Sequence, residues 1–155
     1  MNNARRLNKI LSQLYSNVIK AEETVMKKSK AQNLSVTEVH TLEAIGRGEA
    51  KTMTHVADAL NINVSTLTAA INKLVTKGYV DRFRIPEDRR IVKVALTETG
   101  KRAVREHEAF QFMLVKEALA KLSAEESKRL VESLETVHEI LLMRVAKNKH
   151  REKFI

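Results

Sequence analysis

The chain has 155 residues, of which 43% are hydrophobic, so it can bury the core of a compact domain and is not a disordered chain. Lysine and arginine number 28 against 19 acidic residues, and this net charge of +9 raises the expectation of a polyanionic partner, either nucleic acid or an anionic membrane surface. The sequence has no cysteine, no signal-peptide pattern and no apolar run near the roughly 20 residues that cross a bilayer, so we expect a soluble, cytoplasmic protein without disulfides or thiolate metal sites.

Residues 3–30 have the pattern of one long helix, since neither proline nor glycine interrupts them. Their apolar residues step alternately by four and three positions, which is the spacing of a helix seam. The seam consists of Leu7, Leu11, Leu14, Val18, Ala21 and Val25. Such a seam packs either on the rest of its own subunit or on a partner chain, and the pattern alone leaves both open.

A second helix is predicted to begin at Ser35, because Glu38 three positions later completes a capping box. Its buried stripe consists of Val39, Leu42 and Ile45, and glycine at position 46 ends it.

Two further short helices follow, joined by a tight polar turn. The first covers about residues 53–60, and Thr52 is its predicted capping residue. Asn61 tolerates the left-handed conformation that the turn requires. The next helix is capped by Asn63 or Ser65, and both alternatives fit the sequence.

The outer face of that helix, about residues 63–77, is small, polar and free of acidic residues. It consists of Ser65, Thr66, Ala69, Asn72, Lys73 and Thr76. A solvated helix in a charge-rich protein usually mixes glutamate and lysine on such a face. Small polar residues instead favour a helix that enters the major groove of DNA, with an ordinary exposed helix as the alternative.

Residues 79–83 and 91–96 alternate as strands around the polar turn "IPEDRR", which predicts a β-hairpin. The tip of this hairpin carries Arg84, Arg89 and Arg90, and arginine on a thin loop can enter the minor groove of DNA. Asp88 lies two positions before Arg90, where its carboxylate can orient the guanidinium before DNA arrives. The alternative is a surface ion pair of little energetic value.

Two more helices are predicted at the C-terminal end, and Ser123 with Glu126 forms a capping box between them. The last helix repeats the seam spacing at Leu130, Leu134, Val137, Leu141 and Val145. Because seam-patterned helices stand at both ends of the chain, pairing with a second copy is the economical way to bury them. The predicted dimerisation residues are Leu7, Leu11, Leu14, Val18, Leu134, Val137, Leu141 and Val145.

The order of these elements resembles the MarR family of winged helix-turn-helix regulators over nearly the whole chain. The segments that carry the resemblance are "VADALNINVSTLTAAINKLVTKGYVDR" and "EDRRIVKVALTETG". In the second, Asp88, Arg90, Leu96, Thr97 and Gly100 match the family's D-x-R…L-T-x-x-G pattern.

The resemblance implies a mainly α fold with a small β-hairpin wing. In this interpretation residues 1–155 form a single MarR-type domain, with a winged helix-turn-helix DNA-binding module at 35–97. The N- and C-terminal dimerisation helices occupy 1–32 and 98–148. A homodimer of this kind binds a palindromic double-stranded DNA operator, usually as a repressor, and a small ligand bound between the dimer helices and the reading module releases it.

The resemblance also implies roles for particular residues. The recognition helix lies in the major groove, and Arg90, oriented by Asp88, reaches into the minor groove. The predicted DNA-binding residues are Ser65, Thr66, Thr68, Asn72, Lys73, Arg84, Asp88, Arg89 and Arg90. The predicted ligand pocket contains Leu11, Leu14, Leu42 and Phe110. No catalytic residue, cofactor or metal is expected.

One position departs from the family pattern. Many members carry an arginine where this chain has Ala69, and alanine cannot make the bidentate contact to guanine that arginine supplies there. We therefore expect the wing and the shape of the DNA to contribute more to recognition. The segment "LSVTEVHTLEAIG" and the arginine-poor recognition helix are similar to the FabT-like repressors of fatty-acid biosynthesis, whose corepressor is acyl-acyl carrier protein.

Other functions fit the sequence less well. The five histidines fall on separate elements without any catalytic motif, which excludes the common enzyme classes. A zinc-responsive MarR-type regulator is an alternative, because His107 lies between Glu106 and Glu108 and His138 precedes Glu139. A basic structural or membrane-surface dimer would concentrate its basic residues on one amphipathic helix, whereas here they lie at the wing, the termini and scattered helix faces.

Overall fold

The computed structural model describes residues 2–28, 33–86, 88 and 90–152, with side chains described as far as residue 144. This part of the chain forms six helices and three short strands. In chain order they are α1 (Asn3–Met26), α2 (Val36–Ile45), β1 (Lys51–Thr52), α3 (Met53–Leu60), α4 (Val64–Thr76), β2 (Val80–Arg84), β3 (Val92–Leu96), α5 (Glu98–Leu119) and α6 (Ala124–Glu152). The predicted fold class, mainly α with a small β wing, is confirmed.

The chain folds into two compact units, residues 1–110 and residues 111–155, and the boundary falls inside α5. The predicted reading module at 35–97 therefore lies within the first unit. The roles assigned to the segments 1–32, 35–97 and 98–148 stay predictions.

The helices begin where their capping residues predict. Ser35 and Glu38 form the capping box of α2, with the Ser35 backbone N–H donating to Glu38 Oε2 at 2.8 Å. The Thr52 hydroxyl oxygen accepts from the His55 backbone N–H at 3.2 Å and caps α3. Asn63 caps α4, since its Oδ1 accepts from the Thr66 backbone N–H at 2.7 Å, which decides between the two predicted caps.

The turn between α3 and α4 has the predicted left-handed residue. Asn61 adopts φ 55°, a conformation that asparagine enters more easily than most side chains. The turn that contains Asn61 leads into α4, which packs against α3.

The three strands form one antiparallel sheet in the order β1-β3-β2. The predicted hairpin is β2 and β3, in a register that pairs Val80 with Leu96 and Arg84 with Val92. Strand β1 was not predicted, because two residues are too few to show an alternating pattern. It pairs Lys51 with Val94 and joins the wing to the start of α3.

The core of the first unit holds α4 in place. The fully buried side chains include Leu42 and Ile45 of α2, Val56 of α3, Leu67, Ile71 and Leu74 of α4, Val94 of β3 and Val104 of α5. Val64 and Val75 have the same helical spacing as these buried residues of α4, but they are 42% and 40% exposed. They lie at the two ends of the helix and at the edges of its apolar stripe, where neighbouring elements do not cover them.

The junction between the wing and α5 explains the Leu-Thr-x-x-Gly pattern. The Thr97 hydroxyl donates to the Gly78 carbonyl oxygen at 2.8 Å and accepts from the Gly100 backbone N–H at 3.1 Å. The Thr97 backbone N–H donates to the Tyr79 carbonyl oxygen at 3.1 Å. Threonine at this position therefore caps α5 and fastens its first turn to the start of β2.

A half-buried ion pair connects the start of α2 with the end of α4. The Lys77 ammonium donates to both carboxylate oxygens of Glu38, at 2.7 and 2.8 Å. Burial raises the pKa of the Glu38 carboxyl, but the hydrogen bonds from Lys77 and Ser35 outweigh this effect and leave the pKa below its ordinary value. The carboxylate is thus favoured in the folded chain.

We expect this pair to make stability depend on pH in the acidic range. Because the folded-state pKa of Glu38 is depressed, its contribution is present above the unfolded-state value near 4.5 and is lost as pH falls through the folded-state pKa. The contribution is on the order of 1 kcal/mol. Urea titrations of wild type and Glu38→Gln between pH 3 and 6 should give a shallower pH dependence for the variant. A Glu49→Gln control, at an exposed position, should retain the wild-type slope, and identical slopes for all three proteins would contradict the assignment.

Candidate nucleic-acid interface

The outward face of α4 presents most of the side chains that were predicted to read DNA. Ser65, Thr66, Asn72 and Lys73 are exposed, and Thr68 is half-buried. Lys73 is the single charged residue within α4. A polyanion can therefore approach this helix without meeting a carboxylate of the helix itself.

Two hydroxyl groups on this face already donate to nearby oxygens. Ser65 Oγ donates to Asn63 Oδ1 at 2.9 Å, and Thr68 Oγ1 donates to the Val64 carbonyl oxygen at 2.8 Å. While these bonds are made, both oxygens act as acceptors toward a ligand. They are suited to the amino groups of adenine or cytosine that face the major groove.

The tip of the wing is a closed turn. The Ile85 backbone N–H donates to the Ile91 carbonyl oxygen at 3.3 Å, and the Ile91 N–H donates to the Asp88 carbonyl oxygen at 3.0 Å. Arg84 and Arg90 are exposed on either side of this turn, as predicted. Arg89, also predicted to bind DNA, lies outside the described residues.

Asp88 acts on the backbone of the turn. Its Oδ1 accepts from the Arg90 backbone N–H at 2.9 Å, whereas the sequence suggested a contact with the Arg90 guanidinium. An aspartate that bonds the N–H two positions later fixes the turn, and short side chains of this type do so readily. Asp88 therefore sets the direction in which Arg90 leaves the backbone, and the guanidinium stays free to meet a ligand.

Arg82 of β2 is a candidate residue that the sequence analysis did not single out. Its Nη1 donates to Asn72 Oδ1 of α4 at 2.9 Å. Arg82 and Arg90 also line a groove of about 380 Å³, together with Thr54 and Thr68. The missed signal is the strand alternation, which places Arg82 on the same side of β2 as Val80, the residue that packs in the core beside α4.

The four residues predicted to line a ligand pocket lie on three helices and differ in their burial. Leu42 is fully buried in the core, while Leu14 is 53% exposed. Phe110 lines a cavity of about 30 Å³, with Glu22, Val25, Met26, Val39, Ala103, Glu106 and His107. The ligand pocket therefore stays a prediction.

The histidine environment differs from the one on which the zinc alternative was based. Glu106 is exposed, and Glu108 pairs with Arg47 at 2.8 Å. His107 instead turns inward and meets Glu22 of α1 and Glu43 of α2. Sequence neighbours on a helix point in different directions, so contacts from other elements determine the surroundings of His107.

Apolar seams remain uncovered on both terminal helices. On α1, Leu7 and Leu14 are 42% and 53% exposed, and on α6, Leu134 and Leu141 are 44% and 52% exposed. Val18 is also exposed, Leu11 and Val137 are half-buried, and the side chain of Val145 lies outside the described part of the chain. Rows of exposed leucine at seam spacing are typical of surfaces that another chain covers.

Within the described residues, no helix combines the length and the apolar character that crossing a membrane requires.

Comparison with known proteins gives the family. The sequence pattern of the MarR family matches residues 34–92. The HTH-type transcriptional regulator YdgJ of Bacillus subtilis (strain 168) is 37% identical over 75 residues, which are 48% of this chain and 46% of YdgJ. PecS of Dickeya dadantii (strain 3937) is 33% identical over 101 residues, which are 63% of this chain and 61% of PecS. The match covers about half the length of YdgJ and of two other curated relatives from Bacillus subtilis.

Solved structures match over a longer part of the chain. Streptococcus pneumoniae FabT, in a crystal structure with DNA, has a TM-score of 0.84 and 30% identity, covering 90% of this chain and 97% of FabT. The regulator BldR of Sulfolobus solfataricus has a TM-score of 0.66 and 30% identity, covering 90% of this chain and 99% of BldR. A mutant MarR of E. coli, in complex with operator DNA, shares the fold at 22% identity and a TM-score of 0.69, over 85% and 93% of the two chains.

These relatives are transcriptional regulators and not enzymes, in agreement with the expectation from the sequence. The chain therefore belongs to the MarR family of transcriptional regulators.

Proposed function

We propose that the protein is a homodimeric repressor that binds a palindromic DNA operator in the cytoplasm. The observation that carries this proposal is the juxtaposition of an acid-free helix face with arginine side chains of the wing. Arg82 bridges the two elements through its 2.9 Å hydrogen bond to Asn72. An acid-free face with guanidinium groups beside it is complementary to a groove lined by phosphates.

In this proposal α4 lies in the major groove and the wing follows the adjacent minor groove. Ser65, Thr66 and Thr68 meet base edges at the N-terminal end of α4, where the backbone N–H groups also favour a phosphate. Lys73 contacts a phosphate. Arg84, Arg89 and Arg90 contact the minor groove or its backbone, where a narrow A·T-rich groove attracts arginine.

The uncovered seams support a second copy as the partner of α1 and α6. Each seam carries leucine and valine residues that are half-buried or exposed within one chain, and burying their remaining apolar surface favours association. Symmetric pairing would place two copies of α4 in fixed register, which matches an operator with two-fold symmetry.

The likeness to FabT supports a more specific proposal. This chain resembles the DNA-bound FabT over 90% of its length, so we propose that it controls genes of fatty-acid synthesis. The proposed effector is a small or acyl ligand, including acyl-acyl carrier protein. Its pocket would form with the second copy, because the cavity of about 30 Å³ beside Phe110 holds little more than one water molecule.

The proposal is tested by selecting bound fragments from genomic DNA with the purified full-length protein. A regulator should recover a few discrete palindromic sites, and sites upstream of fatty-acid synthesis genes would support the FabT-like role. Fragments enriched without a shared sequence would point instead to a basic protein that binds DNA through charge alone.

With a recovered operator, Arg90→Ala should weaken binding by about 1–3 kcal/mol, because the turn fixed by Asp88 presents this guanidinium to the minor groove. Gel-shift titration measures the change. Lys73→Ala is the matched comparison. If Lys73 contacts only a phosphate, its loss should lower the affinity for all DNA sequences alike. The slope of log affinity against log salt concentration should then fall by about one. Wild-type affinity of the Arg90 variant would contradict the role of the wing.

Introducing a charge into the seam should separate the two copies. Leu134→Glu is expected to raise the dimer dissociation constant at least about tenfold, because burying an unpaired carboxylate in an apolar interface is costly. Analytical ultracentrifugation across a concentration series measures this. Glu132→Lys, an exposed position on the same helix, is the control. If the Leu134 variant sediments like wild type at every concentration, α6 does not form the interface.

A further inference from the structure

A network of polar side chains joins the start of α2 to the end of α4 and the start of β2. It consists of Asn33, Glu38, Lys77 and Tyr79 and is called here the Asn33 anchor. The Lys77 ammonium, already paired with Glu38, also donates to the Asn33 carbonyl oxygen at 2.5 Å. The Tyr79 hydroxyl donates to Asn33 Oδ1 at 2.7 Å. Asn33 thus accepts from two side chains that are 44 and 46 positions away in the sequence.

The two donors to Asn33 occupy defined places in the reading module. Lys77 is the C-terminal capping residue of α4 and Tyr79 precedes β2, so Asn33 holds the point where the candidate recognition helix ends and the wing begins. Gly78 lies between the two donors with φ 79°, a left-handed conformation that lets the chain turn there. The Tyr79 side chain is buried, and burial raises the pKa of its hydroxyl, which therefore stays protonated as a donor at neutral pH.

The anchor supplies directional contacts that the apolar core lacks. Helix α2 packs on α4 through the hydrophobic core, to which Leu42 and Ile45 belong. Burial of apolar surface is favourable in many arrangements because it has no preferred direction. Hydrogen bonds weaken when their distance and angle change, so those of Asn33 and Glu38 fix the N-terminal end of α2 at one position against α4.

Helix α1 is attached to the first unit through its C-terminal part. It contacts α2, and Val39 of α2 lines one cavity together with Glu22 and Met26 of α1. Glu22 and Met26 are the buried side chains of α1 and lie near its C-terminal end. Leu7 and Leu14 of the seam lie toward the other end and are exposed. The angle of α1 therefore depends on how α2 is held.

The length of α1 amplifies a small change of this angle. A helix of 24 residues is about 36 Å long, so a tilt of about 5° at the C-terminal end would move the N-terminal end by roughly 3 Å. This displacement is close to the rise of one base pair, about 3.4 Å. In the proposed dimer the seam of α1 meets the second copy, so the angle between α1 and α4 determines the distance between the two copies of α4.

We propose that Asn33 is a positioning residue that sets the separation of the two recognition helices, and hence the spacing of the operator half-sites that the dimer accepts. Asn33 acts through Lys77 and Tyr79 and needs no contact with the DNA. With the anchor intact, both copies of α4 are held at one separation. Without it, α2 and α1 can tilt relative to α4, and the dimer accepts several spacings. This inference rests on the proposed homodimer and its palindromic operator.

A distance measurement tests the inference without DNA. The chain has no cysteine, so Ala69→Cys places a single spin label on the exposed face of α4 in each copy. Pulsed electron paramagnetic resonance of the full-length dimer should give one narrow distribution of distances between the two labels. Asn33→Ala in the same background should broaden it at least about twofold, and Asn33→Asp, which keeps an acceptor for the Tyr79 hydroxyl, should restore it. An equally narrow distribution with Asn33→Ala would overturn the proposal.

Spacing variants of the selected operator give the functional measurement. Wild type should bind at least about tenfold more weakly when one base pair is inserted or removed at the centre of the operator, whereas Asn33→Ala should lose about threefold or less. Tyr79→Phe keeps the buried ring, so the chain should fold, and it should show the same relaxed preference. Thr41→Val is the matched control, because it removes a hydroxyl that donates to the Thr37 carbonyl oxygen at 2.9 Å within α2. It should keep the wild-type preference.

The outcomes separate this inference from the proposed function. If Asn33→Ala and Tyr79→Phe weaken binding to every spacing by the same factor, the anchor contributes to stability alone and the positioning role is overturned. The same conclusion follows if Thr41→Val relaxes the spacing preference as much as Asn33→Ala does. A wild-type protein that forms no dimer, or that selects no DNA, would contradict the proposed function and this inference with it.

Discussion

Replacing Gly100 with alanine is expected to lower the free energy of unfolding by about 3 kcal/mol, at the upper end of the usual cost of overpacking. A Cβ at this position would overlap the carbonyl oxygen of Tyr79 and lie 3.3 Å from the Leu96 Cβ. The Tyr79 carbonyl cannot move away, because it accepts the Thr97 backbone N–H that joins the wing to α5. The methyl group can therefore be accommodated only by separating α5 from the start of β2.

Urea denaturation measures this effect, and Gly48→Ala is the matched control. A Cβ at Gly48 meets no atom within 4 Å, and its backbone is not in the left-handed region. The control should be neutral or slightly more stable, because alanine restricts the unfolded chain more than glycine does. If both variants unfold at the wild-type urea concentration, close packing is not the reason for a glycine in the Leu-Thr-x-x-Gly pattern.

Local signals in the sequence predicted most of the fold. The capping box at Ser35, the cap at Thr52 and the left-handed turn at Asn61 were all predicted and are all present. Each depends on a side chain that reaches backbone groups two or three residues away, so the relevant chemistry is contained in a few adjacent positions. The hairpin was predicted for the same reason, from alternation on both sides of a polar turn.

Contacts between distant segments were beyond this reasoning. The partners of His107 come from α1 and α2, 64 or more positions away, and no spacing rule connects them. Leu42 satisfied a helical stripe that faces the core and a stripe that faces a cavity equally well. Strand β1 forms because Lys51 and Thr52 pair with β3. Its two residues are too few to show an alternating pattern in the sequence.

The candidate interface falls between these cases. The outward face of α4 could be predicted, because buried positions at Leu67, Ile71 and Leu74 define its opposite side. The contact between Asp88 and Arg90 was predicted as a pair, but its geometry was not, since an acceptor two positions away can reach either the backbone or the side chain. Arg82 was not singled out because its candidate role depends on the hydrogen bond to Asn72, which lies on another element, α4.

Arg82→Ala is expected to weaken operator binding by about hundredfold. The substitution removes a cation from the groove between α4 and the wing, and it also releases the Asn72 side chain, whose Oδ1 accepts from Arg82 Nη1 at 2.9 Å. An asparagine held in one orientation offers its amide group to a base edge without a further ordering cost. Arg82→Lys should recover only part of the affinity, because an ammonium lacks the planar fork that holds Asn72 while facing the DNA.

A double-mutant cycle with Asn72→Ala decides whether the two residues act as one unit. If Arg82 positions Asn72, the double variant should bind about as weakly as Arg82→Ala alone, with a coupling of roughly 1 kcal/mol or more. Arg6→Ala, an exposed arginine on α1, controls for the loss of one positive charge. Selection of random DNA should also show relaxed base preference with Arg82→Ala, whereas a phosphate contact would lower all affinities equally. Ala69 leaves α4 without an arginine of its own, so Arg82 is the candidate guanidinium beside this helix. If Arg82→Ala changes operator affinity no more than Arg6→Ala does, base readout does not depend on a guanidinium that bridges the helix and the wing.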